Sequence, residues 1–434
     1  MKSFLEISLK LKGFPVKNAA EEILRIQSFT KEEFIQWQEN KKREIVDYHF
    51  KNNEFYKSKI GNSVPEKWED LPILTKSDYQ HSEKKLISNT IVKNDLYTGY
   101  TSGSSGHPFH YAKDKFAHAM TWALIKDRYK NFGLTLKSKQ ARFYGIPFER
   151  MDYIIERTKD FLSNRKRFPV FDLSDEMLGR FSNEFKRIKF EYVYGYTNSI
   201  VLFARYIIKN KFILKDICPT LKVCICTSEN CTEEDKEIIF KAFNIPVVNE
   251  YGTSEVDLIA FEDFSGQWRL SEENVFMEIL DEQGKRVTQG GEGRIILTAL
   301  HNKAMPFIRY EIGDRAVIEP DEKKIKIKKL MGGVNDIVKL PSGKQSSGVT
   351  FYFITRDVLE KSGVLKEFII RQVSINKFII DIVSTGEISN DEIKKLQRKM
   401  DMYLEPGLEI EINRVEKIER TKAGKMKHFH SGIN

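Results

Sequence analysis

Apolar residues recur at helical spacing through residues 15–60, and the pattern predicts two helices. Ile23, Leu24 and Ile26 mark the first among charged neighbours. Thr30 with Glu33 three residues on is a capping-box signature that starts the second, along which Phe34, Trp37, Ile45 and Tyr48 recur. Leu71 to Asp78 predicts an extended segment that ends in a short helix capped by Thr75, with Asp78 three residues on. Phe109 to Ala112 predicts a strand, and an amphipathic helix follows from Asp114 to Phe132 with Phe116, Met120, Leu124 and Tyr129.

From 140 to 300 short β-rich runs alternate with helices. Residues 142–146, 191–195, 222–226 and 246–249 predict strands, and 181–189, 200–209 and 232–243 predict helices. This alternation predicts an α/β fold with parallel βαβ units, in which ligands gather where strand C-termini meet the next loop. Two loops stand there, 227–230 and 250–255. Residues 268–318 change to hairpin character: strands 276–280 and 294–298, turns at 281–284 and 290–293, and a Gly313-Asp314 turn closing 305–314. A β-rich subdomain fits. Beyond Asp336 the pattern is α+β and small, with strands at 368–373, 378–383 and 409–415 and a helix at 390–402. The boundary predicts a large N-terminal domain over 1–336 and a small C-terminal domain over 337–434.

Composition narrows the classes. The 434 residues are 41% hydrophobic and carry a formal charge of +9 spread along the chain. The basic run Lys323, Lys324, Lys326, Lys328 and Lys329 alternates with Ile325 and Ile327, as on the wet face of a strand. No nucleic-acid module gathers the basic residues on one face, so the balance points to anionic small molecules. No run of 18 apolar residues and no charged-then-apolar leader pattern occurs, which predicts a cytoplasmic protein without a transmembrane segment. Cys218, Cys224, Cys226 and Cys231 match neither a zinc ribbon nor a disulfide scaffold, and buried free thiols are expected.

One stretch carries chemistry on its face. Thr101-Ser102-Gly103-Ser104-Ser105-Gly106-His107-Pro108 concentrates hydroxyls and backbone donors on a glycine-rich turn, a surface suited to phosphate oxygens. A flexible polar loop has the same composition. It is no Walker A loop, because no Gly-Lys-Ser/Thr closes it.

Four motifs stand in one order: that loop, Tyr251-Gly252-Thr253-Ser254-Glu255, Arg309-Tyr310-Glu311-Ile312-Gly313-Asp314, and Arg420-Thr421-Lys422-Ala423-Gly424-Lys425. Together they resemble the adenylate-forming superfamily of acyl-CoA synthetases, nearest its phenylacetate–CoA ligase branch and the capsule-biosynthesis relatives of the CapK type. The resemblance implies attack of a small-molecule carboxylate on the α-phosphate of Mg-ATP, then acyl transfer to CoA or another nucleophile. It assigns ATP contacts to Thr101, Ser102, Gly103, Ser104, Ser105, Gly106, Ser228, Glu229, Tyr251, Gly252, Thr253 and Asp314. Tyr251 is the adenine stacker, Gly252 permits close approach, and Asp314 is the ribose-binding carboxylate. Glu255 is implied as the Mg²⁺ ligand, Lys425 as the catalytic lysine, and Asp336 as the hinge of a mobile C-terminal domain. Tyr144, Tyr196 and Thr227 fall at the implied acyl pocket, and a homodimer is compatible with the resemblance. Ordinary readings stand beside these: a core Tyr251, a solvated Glu255, an Asp314 in a Gly-Asp turn and a solvated Lys425.

Two positions depart from the pattern. Gly333 stands where the hinge arginine is usual, with Arg309 and Lys339 as replacements, and His107 stands where the phosphate loop often has lysine. A nucleotide-binding protein of polysaccharide assembly, without turnover or with an amine or hydroxyl acceptor, is the alternative these departures support.

Overall fold

The computed structural model describes residues 3–80, 82, 84–101, 109–144, 150–169, 175–229, 231–288, 290–320, 325–331, 337–343, 345–347, 354, 365–384, 386, 388–418 and 429–433. The chain opens with helices α1 Phe4–Leu11, α2 Val16–Gln27, α3 Lys31–Asn52 and α4 Glu54–Ile60. The Thr30 capping box is made: Glu33 N–H donates to Thr30 Oγ1 at 3.2 Å, and Thr30 N–H donates to Glu33 Oε2 at 2.8 Å. The expected pair of helices is instead three over this range. Asn53 ends α3, and its side chain accepts from Tyr56 N–H at 2.9 Å to start α4. Short strand β1 Leu74–Thr75 leads into α5 Lys76–Gln80, where Asp78 takes the N–H and hydroxyl of Thr75 at 2.8 Å each.

β2 Leu96–Thr101 and β3 Phe109–Asp114 form an antiparallel hairpin whose last pair is Thr101↔Phe109. Ser102 to Pro108 link these strands and lie outside the described residues, as do Asp336 and Lys425. Asp114 caps the next helix, α6 Lys115–Lys130, accepting from the N–H groups of Phe116 and Ala117 at 2.9 Å.

A seven-stranded sheet follows. Its elements are β4 Gln140–Phe143, α7 Arg150–Leu162, β5 Arg165–Phe168, α8 Asp175–Arg187, β6 Tyr192–Tyr196, α9 Thr197–Lys209, α10 Leu214–Ile217, β7 Val223–Thr227, α11 Glu233–Phe243, β8 Val247–Thr253, β9 Asp257–Glu262 and β10 Trp268–Leu270. The strand order is β10-β9-β8-β7-β6-β4-β5, parallel from β5 to β8 and antiparallel at β9 and β10. The expected parallel core is therefore present. β5 and α7 escaped the sequence pattern for a physical reason. β5 is mostly basic, Arg165-Lys166-Arg167, and α7 exposes Met151, Ile154, Ile155 and Phe161, so neither shows a clean apolar face.

One face of this sheet packs Phe143, Phe168 and Cys226 against α8, α9 and α11. The other packs Tyr192, Val223, Ile225 and Val248 against α2 and α6. All four cysteines are buried and free, as expected.

A second sheet holds β11 Val275–Leu280, β12 Gly291–Ala299, β13 Tyr310–Ile318 and β14 Ile327–Met331, with β1 parallel to β13. This is the expected β-rich subdomain. Two turns were misplaced, since Gly291 to Gly293 begin β12 and Gly313-Asp314 lie inside β13. The ribbon β15 Ile337–Lys339 and β16 Gln345–Ser347 precedes a four-stranded sheet, order β19-β18-β17-β20, of β17 Leu365–Gln372, β18 Lys377–Ser384, β19 Glu409–Arg414 and β20 Phe429–Ser431. Helix α12 Asn390–Tyr403 starts at a Ser389–Glu392 capping box. A core drawn only from Val338 to Phe429 holds this part together.

Candidate active site

β8 carries Glu250, Tyr251, Gly252 and Thr253 as strand rather than as the expected loop, and turns through Ser254 to Val256 into β9. A register shift falls between Tyr251 and Gly252. A Cβ on Gly252 would lie 2.4 Å from the Asp257 carbonyl, so the tight hairpin accounts for the glycine.

The Tyr251 hydroxyl donates to Asp314 Oδ2 at 2.8 Å. Burial pushes that hydroxyl well above the ordinary tyrosine range, so it remains a donor. Asp314 reaches it because β13 bulges. Arg294 pairs Arg315 and Ile296 pairs Glu311, which leaves Ile312, Gly313 and Asp314 opposite Ile295 alone. Gly313 takes φ +86 with open space at its Cβ position, so backbone conformation selects the glycine. Bulges re-aim side chains in this way, and the ordinary Gly-Asp turn is ruled out.

Glu255 is buried at 7% exposure and accepts from the Tyr310 hydroxyl at 3.1 Å. Burial raises its pKa, only partly offset by its own backbone N–H, the Tyr310 bond and the charges of Lys113 and Lys76. The solvated-loop reading of Glu255 therefore fails. A buried carboxylate left short of compensating charge suits a hard cation such as Mg²⁺. Lys113, which the sequence did not single out, lies beneath this turn at 2% exposure. Its ammonium donates to Ser254 O at 2.7 Å and pairs with Asp257. Its only sequence signal was a lysine on the strand that follows the Gly/Ser loop.

At the other end of the sheet edge, Tyr144 stacks on Tyr196 with centroids 4.1 Å apart, and on Tyr194 at 5.8 Å. The Arg142 guanidinium lies 4.0 Å from the Tyr144 ring centre and 4.9 Å from that of Tyr194. Tyr194 and Tyr129 donate to Glu250 at 2.7 and 3.0 Å, and burial raises the Glu250 pKa. Arg142, Tyr194 and Glu250 were missed. Tyr192, Tyr194 and Tyr196 at a period of two were the available signal, since alternate residues of a strand share a face.

The two ends meet along the strand tips. Thr227, 6% exposed, pairs with Glu250, and Ser228 Oγ is 3.2 Å from the Tyr144 hydroxyl. Glu229 Oε2 accepts from Asn198 N–H at 2.9 Å, so this carboxylate supports the first turn of α9. Tyr144, Tyr196, Thr227, Ser228 and Glu229 thus gather at the C-terminal tips of β4, β6 and β7, and β8, which carries Tyr251 and Thr253, is the next strand of the sheet. Thr101 sits at the end of its hairpin strand, while Ser102, Gly103, Ser104, Ser105, Gly106 and Lys425 lie outside the described residues. Arg309 is not a replacement for the hinge arginine. Its guanidinium is taken up by Glu278 at 3.2 Å and by the carbonyls of Glu69 and Leu71 at 2.6 and 2.7 Å.

No family model matches the chain. It is 25% identical to protein CapK of Staphylococcus aureus over 454 residues, covering 99% of this chain and 96% of that protein. A solved 2-hydroxyisobutyryl-CoA ligase, in the postadenylation state with R3-HIB-AMP, matches 93% of this chain and 90% of its own at TM-score 0.67 and 14% identity. The chain has the adenylate-forming ligase fold. This ligase fold also relates it to the amide bond synthetase McbA of Marinactinospora thermotolerans, with 84% of this chain and 70% of that one covered at TM-score 0.52 and 15% identity. The family resemblance drawn from the four motifs holds at the level of fold, and the CapK-type likeness runs the length of the chain.

Proposed function

We propose that the protein activates a small-molecule carboxylate with ATP, forming an acyl-adenylate and pyrophosphate, and then passes the acyl group to an acceptor. The observation that carries this reading is the Tyr251 hydroxyl on the Asp314 carboxylate at 2.8 Å, on strands adjoining buried Glu255. Tyr251 offers a half-buried ring for adenine, and a carboxylate such as Asp314 has the acceptor oxygens that ribose hydroxyls require. Thr101 and the Ser102–Gly106 loop cradle phosphates, and Thr253, Ser228 and Glu229 border the same space. Glu255 holds Mg²⁺, which when bound offsets phosphate charge. Lys425 bridges the carboxylate and the α-phosphate. Tyr144, Tyr196 and Thr227 line the acid.

The separate core of Val338 to Phe429 supports a division at Asp336 into domains 1–336 and 337–434, with Asp336 as the hinge. Among the described residues no helix is long and apolar enough to cross a membrane, and a cytoplasmic location is proposed with that in view. For the acceptor, a thiol such as CoA follows the phenylacetate–CoA ligase likeness. An amine or hydroxyl in surface polysaccharide assembly is the second reading, supported by the full-length CapK similarity.

Carboxylate-dependent exchange of labelled pyrophosphate into ATP tests the reading. Exchange is expected with one or more acids of a broad panel and is lost in Lys425→Ala, which still binds ATP. ATP binding without exchange on any acid overturns it.

A further inference from the structure

Three arginines of the described chain are under 9% exposed, and each meets a carboxylate: Arg128 with Asp127 and Glu273, Arg167 with Asp160 and Glu156, and Arg309 with Glu278. Arg142, half-buried on β4, is placed differently. Its guanidinium is flanked by the rings of Tyr144 and Tyr194, and among the described residues its one hydrogen bond is a long 3.4 Å contact to Gln140 Oε1 and its buried Nε has no partner. No carboxylate among the described residues lies within ion-pair distance of it. Glu250, on the same face of the sheet, feels the Arg142 charge but has one oxygen on the Tyr194 hydroxyl and the other on the Tyr129 hydroxyl. Arg165, one strand over, is paired with Asp160 at 2.5 Å and brings like charge rather than relief. A guanidinium presents five donors in a planar fork that matches a carboxylate. Holding one unpaired at the protein's interior edge is unfavourable unless something else supplies the oxygens.

We propose that Arg142 binds a second carboxylate on the substrate, so that the acid activated at this site is a dicarboxylic acid. The inference rests on the adenylation reading and names its substrate class. The order of strands sets the spacing. β4, which carries Arg142, is separated from β8, which carries Tyr251, by β6 and β7. Three strand spacings amount to roughly 14 Å between backbones, part of which the long Arg142 side chain spans. The two carboxylates of the acid are therefore separated by a spacer of several bonds. The neighbouring tyrosine rings pack on that spacer, and the Tyr144 and Ser228 hydroxyls lie along it.

The test is pyrophosphate exchange with matched acids of one chain length, adipate against hexanoate and terephthalate against benzoate, at fixed Mg-ATP. Wild type is expected to favour the diacid of a pair by roughly tenfold or more in kcat/KM. Arg142→Gln loses roughly ten- to a hundredfold on that diacid and much less on the monoacid, and Arg142→Lys recovers part of the loss. Because an unpaired charge is removed, the Arg142→Gln melting temperature holds or rises. A melting temperature that falls, with equal losses on diacid and monoacid, assigns Arg142 to packing and overturns the inference. Exchange driven by monoacids alone overturns it while the adenylation reading stands. No exchange with any acid, with ATP still bound, overturns both.

Discussion

The two faces of the parallel sheet are built from the same strands and differ in almost everything else. Behind it, Phe143, Phe168, Phe181, Phe185, Phe190 and Phe203 pack ring on ring, with Phe143 and Phe168 stacked at 5.1 Å and Phe168 and Phe185 at 5.3 Å. In front, one residue away on β4, Arg142 lies against tyrosines whose hydroxyls serve a buried carboxylate. The period of two along a strand makes this possible, because neighbours point to opposite faces. The back face holds the backbone still. The front face uses that rigidity to hold polar groups where water is largely excluded, which makes each of them effective toward a ligand.

Breaking the back face is expected to have the largest effect. Phe185→Ala should cost about 3–5 kcal/mol of stability by opening a cavity, read by denaturant unfolding, while exchange per folded molecule stays near wild type. A comparable loss of specific activity in the still-folded fraction would show that the faces are not independent.

Acid should act through three buried histidines, His118, His49 and His301. His118 on α6 stacks on Tyr97 at 3.8 Å, and burial lowers its pKa to about 3. A buried base depressed below its unfolded value of about 6.5 stabilises the fold above that value and loses the contribution as pH falls toward 3. His49 and His301, both lowered to about 4 by burial, act in the same direction. The melting temperature should therefore decline through this window, and His118→Gln should make the decline shallower.

Glu255 has the opposite sign. Its pKa is raised by burial, so its share of stability is present at low pH and is lost as pH rises through the folded value. Glu255→Gln should thus be somewhat more stable than wild type at pH 7, with the gain vanishing on acidification, yet lack Mg²⁺-dependent exchange. A less stable Glu255→Gln that retains exchange would remove Glu255 from the metal role.

The smallest effect is expected at Tyr251→Phe, which keeps the ring and deletes the hydrogen bond to Asp314. A charge-assisted bond contributes about 1.5–3 kcal/mol, of which only the part that orients Asp314 bears on the nucleotide, so ATP affinity should fall by roughly tenfold or less. Tyr251→Ala should lose more, and equal losses in the two variants would exclude stacking.

Local rules made much of this fold legible in the chain. The Thr30 capping box, the Thr75–Asp78 pair and the alternation of strands with helices all depend on residues a few positions apart, and each formed. The motif order pointed to the right fold, and Tyr251 on β8 meets Asp314 on β13 of the other sheet, with Glu255 in the turn after β8. What could not be seen depends on contacts far apart in sequence. Asp314 reads as a turn residue until the β12 register shows the bulge, and the crowding of Gly252 by the Asp257 carbonyl appears only once β8 and β9 pair. Arg142 looked like any strand arginine, because a missing partner is a property of the folded neighbourhood and not of the residue.

Formation of an acyl-adenylate is tested most directly by the fate of carboxylate oxygen. An acid labelled with ¹⁸O in its carboxyl group is turned over with Mg-ATP and an acceptor, and the nucleotide products are weighed by mass spectrometry. AMP carrying one ¹⁸O is expected, the oxygen that bridged the acyl group and the α-phosphate. Label in inorganic phosphate with ADP as product, or unlabelled AMP, would contradict it.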